Sequence, residues 1–211
     1  MRGPASRPRS QVLVPARSNK GVPALRPTDV PGLLKSRIVS FGYALLVSLG
    51  ICGVAAALEG ACAGSGVKSF FASLKVPPYS APLWVWYIIG VGYYATFFFI
   101  LFRILSLNTD SALKPLTLAL VVFMMTANAL WNYLFFRARK LRLAVVAGSL
   151  APLFDVALLI CLIQLDRLGA WALLPYLLYR VYAVWWGYAL WKLNRTRTES
   201  NRTQLEDAGQ G

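Results

Sequence analysis

The chain has 211 residues, is 57% hydrophobic, and carries a formal net charge of +14 with no histidine. A soluble domain is about 45–50% apolar. The excess here, with a mean hydropathy of +0.55 and gathered in long blocks, excludes an ordinary soluble fold and points to an all-α, polytopic membrane protein. The missing histidine removes His-ligated haem, His-containing zinc sites, carboxylate–histidine di-iron bundles and histidine general bases.

Residues 1–36 set Arg2, Arg7, Arg9, Arg17, Lys20, Arg26 and Lys35 against one acid, Asp29, with prolines throughout. This composition predicts a disordered basic extension. It reads equally as an Arg-rich organelle-targeting sequence or as a tail lying on anionic lipid. A secretory signal is excluded, since no apolar core precedes residue 38.

Five spans are predicted, at about 38–58, 83–105, 115–136, 143–165 and 170–193, within a membrane domain covering 37–194. The first is rich in small residues such as Gly42, Ser48, Gly50 and Gly53, which let helix backbones approach closely. The first loop, 59–82, is the longest and is stiffened by Pro77, Pro78 and Pro82. RARKLR at 137–142 is a tight cationic loop, and 195–211 form a polar C-terminal tail that should fray. Cations near the span ends place RARKLR and the C-terminus in the cytosol. They flank apolar segments, so they suit headgroups or topology and not nucleic acid. Cys52, Cys62 and Cys161 form no CxxC and read as small buried side chains.

Chemistry concentrates in the last three spans. Asn128, Trp131 and Phe135 share one face of the third, which sets an amide and an indole N–H deep in the bilayer. Such groups either line a pocket or bond a neighbouring helix. Tyr179, Tyr182, Ala183 and Trp186 share a face of the fifth. Asp155 and Arg180 lie mid-span on helices joined by a short turn, so they sit at similar depth. A lone charge there costs about 2.5–3.5 kcal/mol on insertion scales, so an ion pair is expected, as a structural clamp or with Arg180 also receiving a carboxylate. Val184, Tyr188 and Lys192 fit the loose pattern proposed for sterol contact, which an aromatic belt with a snorkelling lysine also satisfies.

In order and spacing these residues resemble the TspO/MBR family, the tryptophan-rich sensory proteins and the translocator protein (peripheral benzodiazepine receptor), over about residues 40–194. In the first loop FFASLKVPPYSAPLW keeps Leu74, Pro77, Pro82 and Trp84 of the family motif, with Phe70 and Phe71 for Trp-Tyr; Tyr94 takes the later tyrosine. Asn128, Trp131, Phe135 and Phe136 match the third-helix motif, and Pro175, Tyr176 and Ala183 the fifth, with Tyr182 for Phe. The animal sterol motif falls on Tyr188, Trp191 and Lys192. Met124 replaces the family glutamine, Tyr179 a tryptophan, Trp186-Gly187 a Leu-Asn pair, and Ile88-Ile89-Gly90 a Pro-Val-Trp.

The resemblance implies a five-transmembrane-helix bundle, usually dimeric, that binds porphyrins such as protoporphyrin IX, sterols, or benzodiazepine-type ligands. It implies roles in tetrapyrrole or sterol handling, transport or stress signalling. Trp84, Tyr94, Asn128, Trp131, Tyr179, Arg180, Tyr182, Ala183 and Gly187 would then line the pocket, with Leu74, Pro77, Pro78 and Pro82 as its lid. No cofactor or metal is required; protoporphyrin IX or another tetrapyrrole would be the guest, and lipid and a second copy of the chain the partners. The membrane would be that of an organelle (mitochondrion, plastid or endoplasmic reticulum) in a eukaryote, or the cell envelope in a bacterium. The competing readings are a membrane scaffold without a ligand and a membrane-embedded enzyme acting on lipid or porphyrin. The enzyme is disfavoured because no nucleophile–base pair or metal cluster is visible.

Overall fold

The computed structural model describes residues 30–208, with side chains over 39–195. The chain divides into two compact units between Arg37 and Ile38; of the first, only the helical start of α1 from Val30 is described, and the cavities and contacts below belong to the second. The helices are α1 (Val30–Ala63), α2 (Val67–Ser73), α3 (Leu83–Ser106), α4 (Leu113–Asn132), α5 (Leu141–Leu165) and α6 (Arg167–Ala208). A π-helical turn, Tyr133–Arg137, continues α4. No strand occurs among the described residues.

Four segments are long and apolar enough to cross a membrane: Val39–Ala63, Leu83–Ser106, Leu113–Arg137 and Leu141–Leu165. α6 is long enough too, but its tyrosines, tryptophans and Arg180 hold its hydropathy below theirs. Pro152 and Pro175 sit inside α5 and α6, where packing against neighbours compensates for a lost backbone bond.

The helices pack α4 on α5, α5 on α6, and α6 on α3. Phe97, Ile100, Leu101 and Ile104 form the inward stripe of α3 and are fully buried. They meet Val121 and Met125 of α4, Leu158 and Leu162 of α5, and Leu173 of α6. In lipid such contacts stabilise by close packing rather than by escape from water. Cys52 and Cys161 are buried and Cys62 half-buried, all free thiols.

Two polar devices fix the helix ends. Asp166 caps α6, its Oδ2 accepting from the Gly169 N–H at 3.0 Å. The same carboxylate takes a two-pronged bond from Arg103 on α3, Nε to Oδ2 at 2.8 Å and Nη2 to Oδ1. A Cβ on Gly169 would lie 3.1 Å from Asp166 Oδ2, so glycine is what lets the cap close. Between α4 and α5, Trp131 Nε1 donates to the Ala144 carbonyl at 3.0 Å, and a Cβ on Gly148 would sit 3.3 Å from that nitrogen.

Several boundaries differ from those expected. The extension expected over 1–36, and the targeting signal read in it, lie outside the described residues up to position 29. From Val30 the chain is helical, and Pro31 falls in the first turn, where its missing N–H costs nothing. α1 ends at Ala63, not near 58, so Glu59 stands on a helix instead of opening a loop. The first loop contains α2, and α6 runs past Asn194 to Ala208.

Candidate functional site

A cavity of about 350 Å³ opens between α1, α3, α4 and α6 beneath α2. Its walls are aromatic. Trp86 of α3 packs against Trp186 of α6 at 4.5 Å between ring centroids, stacks near Tyr182 at 6.1 Å, and meets Tyr179 edge-on at 6.2 Å. Phe71 of α2 stacks parallel to Trp186, and Trp131 lies parallel to Phe135 at 4.9 Å. The π-turn supports this wall. Its i→i+5 bonding puts more residues in the turn, and Phe135 and Phe136, consecutive in sequence, both line the cavity.

The polar pole is Glu59. Its Oε2 accepts from the Tyr94 hydroxyl at 2.6 Å and from Asn128 Nδ2 at 2.9 Å. Its Oε1 accepts from Asn132 Nδ2 at 3.0 Å. Three helices thus meet at one carboxylate. Sequence reading placed Glu59 in a loop and so missed it. The signal was present, since Ala44, Ser48 and Cys52 form the buried stripe of α1, and Ala55 and Glu59 extend it at helical spacing. Asn132 and Trp86 were also missed.

Arg180 lines the same cavity from α6. Its Nε donates to Asp155 Oδ2 at 2.8 Å, with Asp155 1% exposed and Arg180 18%. The guanidinium also lies 5.1 Å from the Tyr176 ring. Asn128, Trp131 and Arg180 border a second hollow of about 190 Å³ between α4 and α5 as well. No metal-binding cluster occurs among the described residues.

The segment after α2, the expected lid, is tied to α6. Lys75 N–H donates to Asn194 Oδ1 at 3.1 Å, and Asn194 Nδ2 returns a bond to the Lys75 carbonyl at 3.0 Å. Tyr182 accepts from the Ala81 N–H and donates to the Tyr79 carbonyl, both at 3.1 Å. Trp186 Nε1 donates to Ser80 Oγ at 2.7 Å, and Trp86 Nε1 to the Ala81 carbonyl at 3.1 Å. Leu74 packs into the aromatic cluster and Pro77 is buried, while Pro78 and Pro82 are exposed.

Of the residues expected to line a pocket, Tyr94, Asn128, Trp131, Tyr179 and Arg180 do so. Ala183, Val184 and Gly187 border a smaller adjoining hollow with Trp86 and Trp131. Tyr182 serves the lid. Trp84 is corrected: it is 63% exposed and borders none of these three cavities. Two residues apart on a helix is about 200° of rotation, so Trp84 and Trp86 cannot both face inward, and Trp86 does. Tyr188 and Lys192 are exposed on the outer face of α6.

Apolar helices of spanning length, packed around an aromatic cavity, define a multi-pass helical membrane protein. The chain belongs to the TspO/MBR family, whose profile matches residues 46–192, from within α1 to the lid-bearing part of α6. No individual curated protein matches it.

Proposed function

We propose that α1, α3, α4, α5 and the 167–194 part of α6 cross the membrane as a five-helix bundle, and that the cavity between them receives a flat hydrophobic ligand, a tetrapyrrole or a sterol. The observation that carries this reading is the cavity itself. Its volume of about 350 Å³ lies within the range of small-molecule sites, about 300–1,000 Å³. It is walled by Trp86, Trp131, Tyr179 and Trp186, whose faces suit a planar guest. The role is handling, transport or stress signalling of that ligand, in a homodimer whose C-terminus faces the cytosol. A ligand-free scaffold does not require such walls.

The test is titration of purified protein with protoporphyrin IX, and separately with a sterol, following tryptophan quenching. An Asn128→Ala, Trp131→Ala variant that still folds serves as the control. Saturable micromolar binding that the variant loses is the expected result. Equal binding by both proteins, or binding of neither ligand, would sink the tetrapyrrole-or-sterol reading.

A further inference from the structure

The charges around the cavity do not balance. Glu59 and Arg180 both line it, but Arg180 is already paired with Asp155. One guanidinium therefore stands against two carboxylates, and the negative charge left over belongs to Glu59. Its three contacts are all donations toward it, from a phenol and two amides, none of which carries a positive charge. An ionised carboxylate is acceptor-only, with about four lone-pair sites over its two oxygens, so it retains acceptor capacity.

Two further observations bear on the guest, the first on its having a polar group and the second on the sign of its charge. The hydroxyl of Tyr93, a residue on the cavity wall only 7% exposed, has no hydrogen-bond partner among the described residues. Phe71, Trp86 and Tyr179 also line the cavity with Glu59, and the face of an aromatic ring is its negative side, which attracts cations.

We propose that Glu59 is the recognition carboxylate of this cavity and that the site selects flat apolar ligands bearing a positive charge, a protonated amine or ring nitrogen, over carboxylates of the same shape. The proposal rests on the pocket reading above and narrows it. The amine or ring N–H would bond Glu59, the ring system would lie among the tryptophans, and Arg180 would stay with Asp155. A ligand whose only polar groups are carboxylates would add negative charge to a cavity already carrying it.

The experiment uses the full chain in uncharged detergent and three-ring probes small enough not to depend on macrocycle binding. These are 9-aminoacridine (a cation at neutral pH), anthracene, and anthracene-9-carboxylate, each titrated by tryptophan quenching. Wild type should bind the cation about tenfold or more tighter than the carboxylate, the scale of one charge-assisted contact. Glu59→Gln should weaken the cation about tenfold and narrow that gap, while Glu59→Asp should keep the ranking. Should Glu59→Gln not fold, the wild-type ranking decides. Unsaturable binding of the cation, equal or tighter binding of the carboxylate, or a ranking untouched by Glu59→Gln would each overturn the proposal. Protoporphyrin IX titrated in parallel separates the two readings, since its failure alone condemns the macrocycle and leaves the acridine result standing.

Discussion

Asp155 and Arg180 each make the other tolerable. A carboxylate 1% exposed in the middle of α5 has one cation in reach, on the antiparallel neighbour. Removing one partner leaves a buried uncompensated charge, which costs about 3–5 kcal/mol in soluble proteins. Asp155→Asn and Arg180→Gln should therefore each lower the thermal midpoint, and the double variant should fall no lower than the worse single. Additive losses would mean that the pair carries no energy. This pair was legible in the sequence because lone charges inside apolar runs have few solutions. Glu59 was not, because an acid that follows a long apolar run looks like the end of a span. Only the continuation of α1 to Ala63 turns it inward to meet Asn128 and Asn132.

Among the elements, α3 settles which tryptophan serves the cavity. Trp84→Ala should leave ligand quenching within about twofold of wild type. Trp86→Ala should weaken it about tenfold, since it removes stacked area worth about 1 kcal/mol or more and the bond to Ala81. Motif matching favoured Trp84 because a motif fixes a position in the chain and not the face that position takes; the expected span already began at 83, and its rotation turns Trp86 to the cavity. The lid is the second case. Asn194→Ala removes two bonds to Lys75, each worth about 1 kcal/mol. Ligand dissociation followed by stopped flow should quicken about tenfold or more, with little change in association.

The turn between α5 and α6 supplies the third case. The Arg103 guanidinium, with help from the Gly169 N–H, holds the Asp166 carboxyl below its ordinary range. A carboxyl depressed on folding stabilises fully above its unfolded value, near 3.9, and that stability is lost as pH falls through the lower folded value. The melting temperature should thus be flat above about pH 5 and fall on acidification below about pH 4. Arg103→Gln should lower the plateau and shallow the acid limb.

For the molecule as a whole, the count of crossings was the harder expectation. Four segments have the length and hydropathy of a crossing, whereas α6, the fifth expected, falls below them where tyrosine and tryptophan stand along the cavity and at the bonds to the segment after α2. The fifth span was expected from an apolar run of about 20 residues, and the aromatic residues that wall the cavity are what lower its hydropathy. A ligand held by the whole bundle should raise its stability by about 2.7 kcal/mol at a hundredfold excess over Kd. A thermal shift in wild type, absent in the Asn128→Ala, Trp131→Ala variant, would distinguish a receptor from a scaffold.

α1 is the least enclosed of the apolar helices, with 17% of its apolar window buried against 22–28% for the other three. Yet it supplies Glu59 and one side of the cavity. If acyl chains complete the enclosure on that side, the solvent from which a guest of the proposed kind arrives is the bilayer. Occupancy is then governed by the mole fraction of guest dissolved in lipid. A compound that partitions strongly fills the site at aqueous concentrations far below its true dissociation constant. Lipid unsaturation and sterol content, which alter that solubility, become variables of the binding isotherm in their own right.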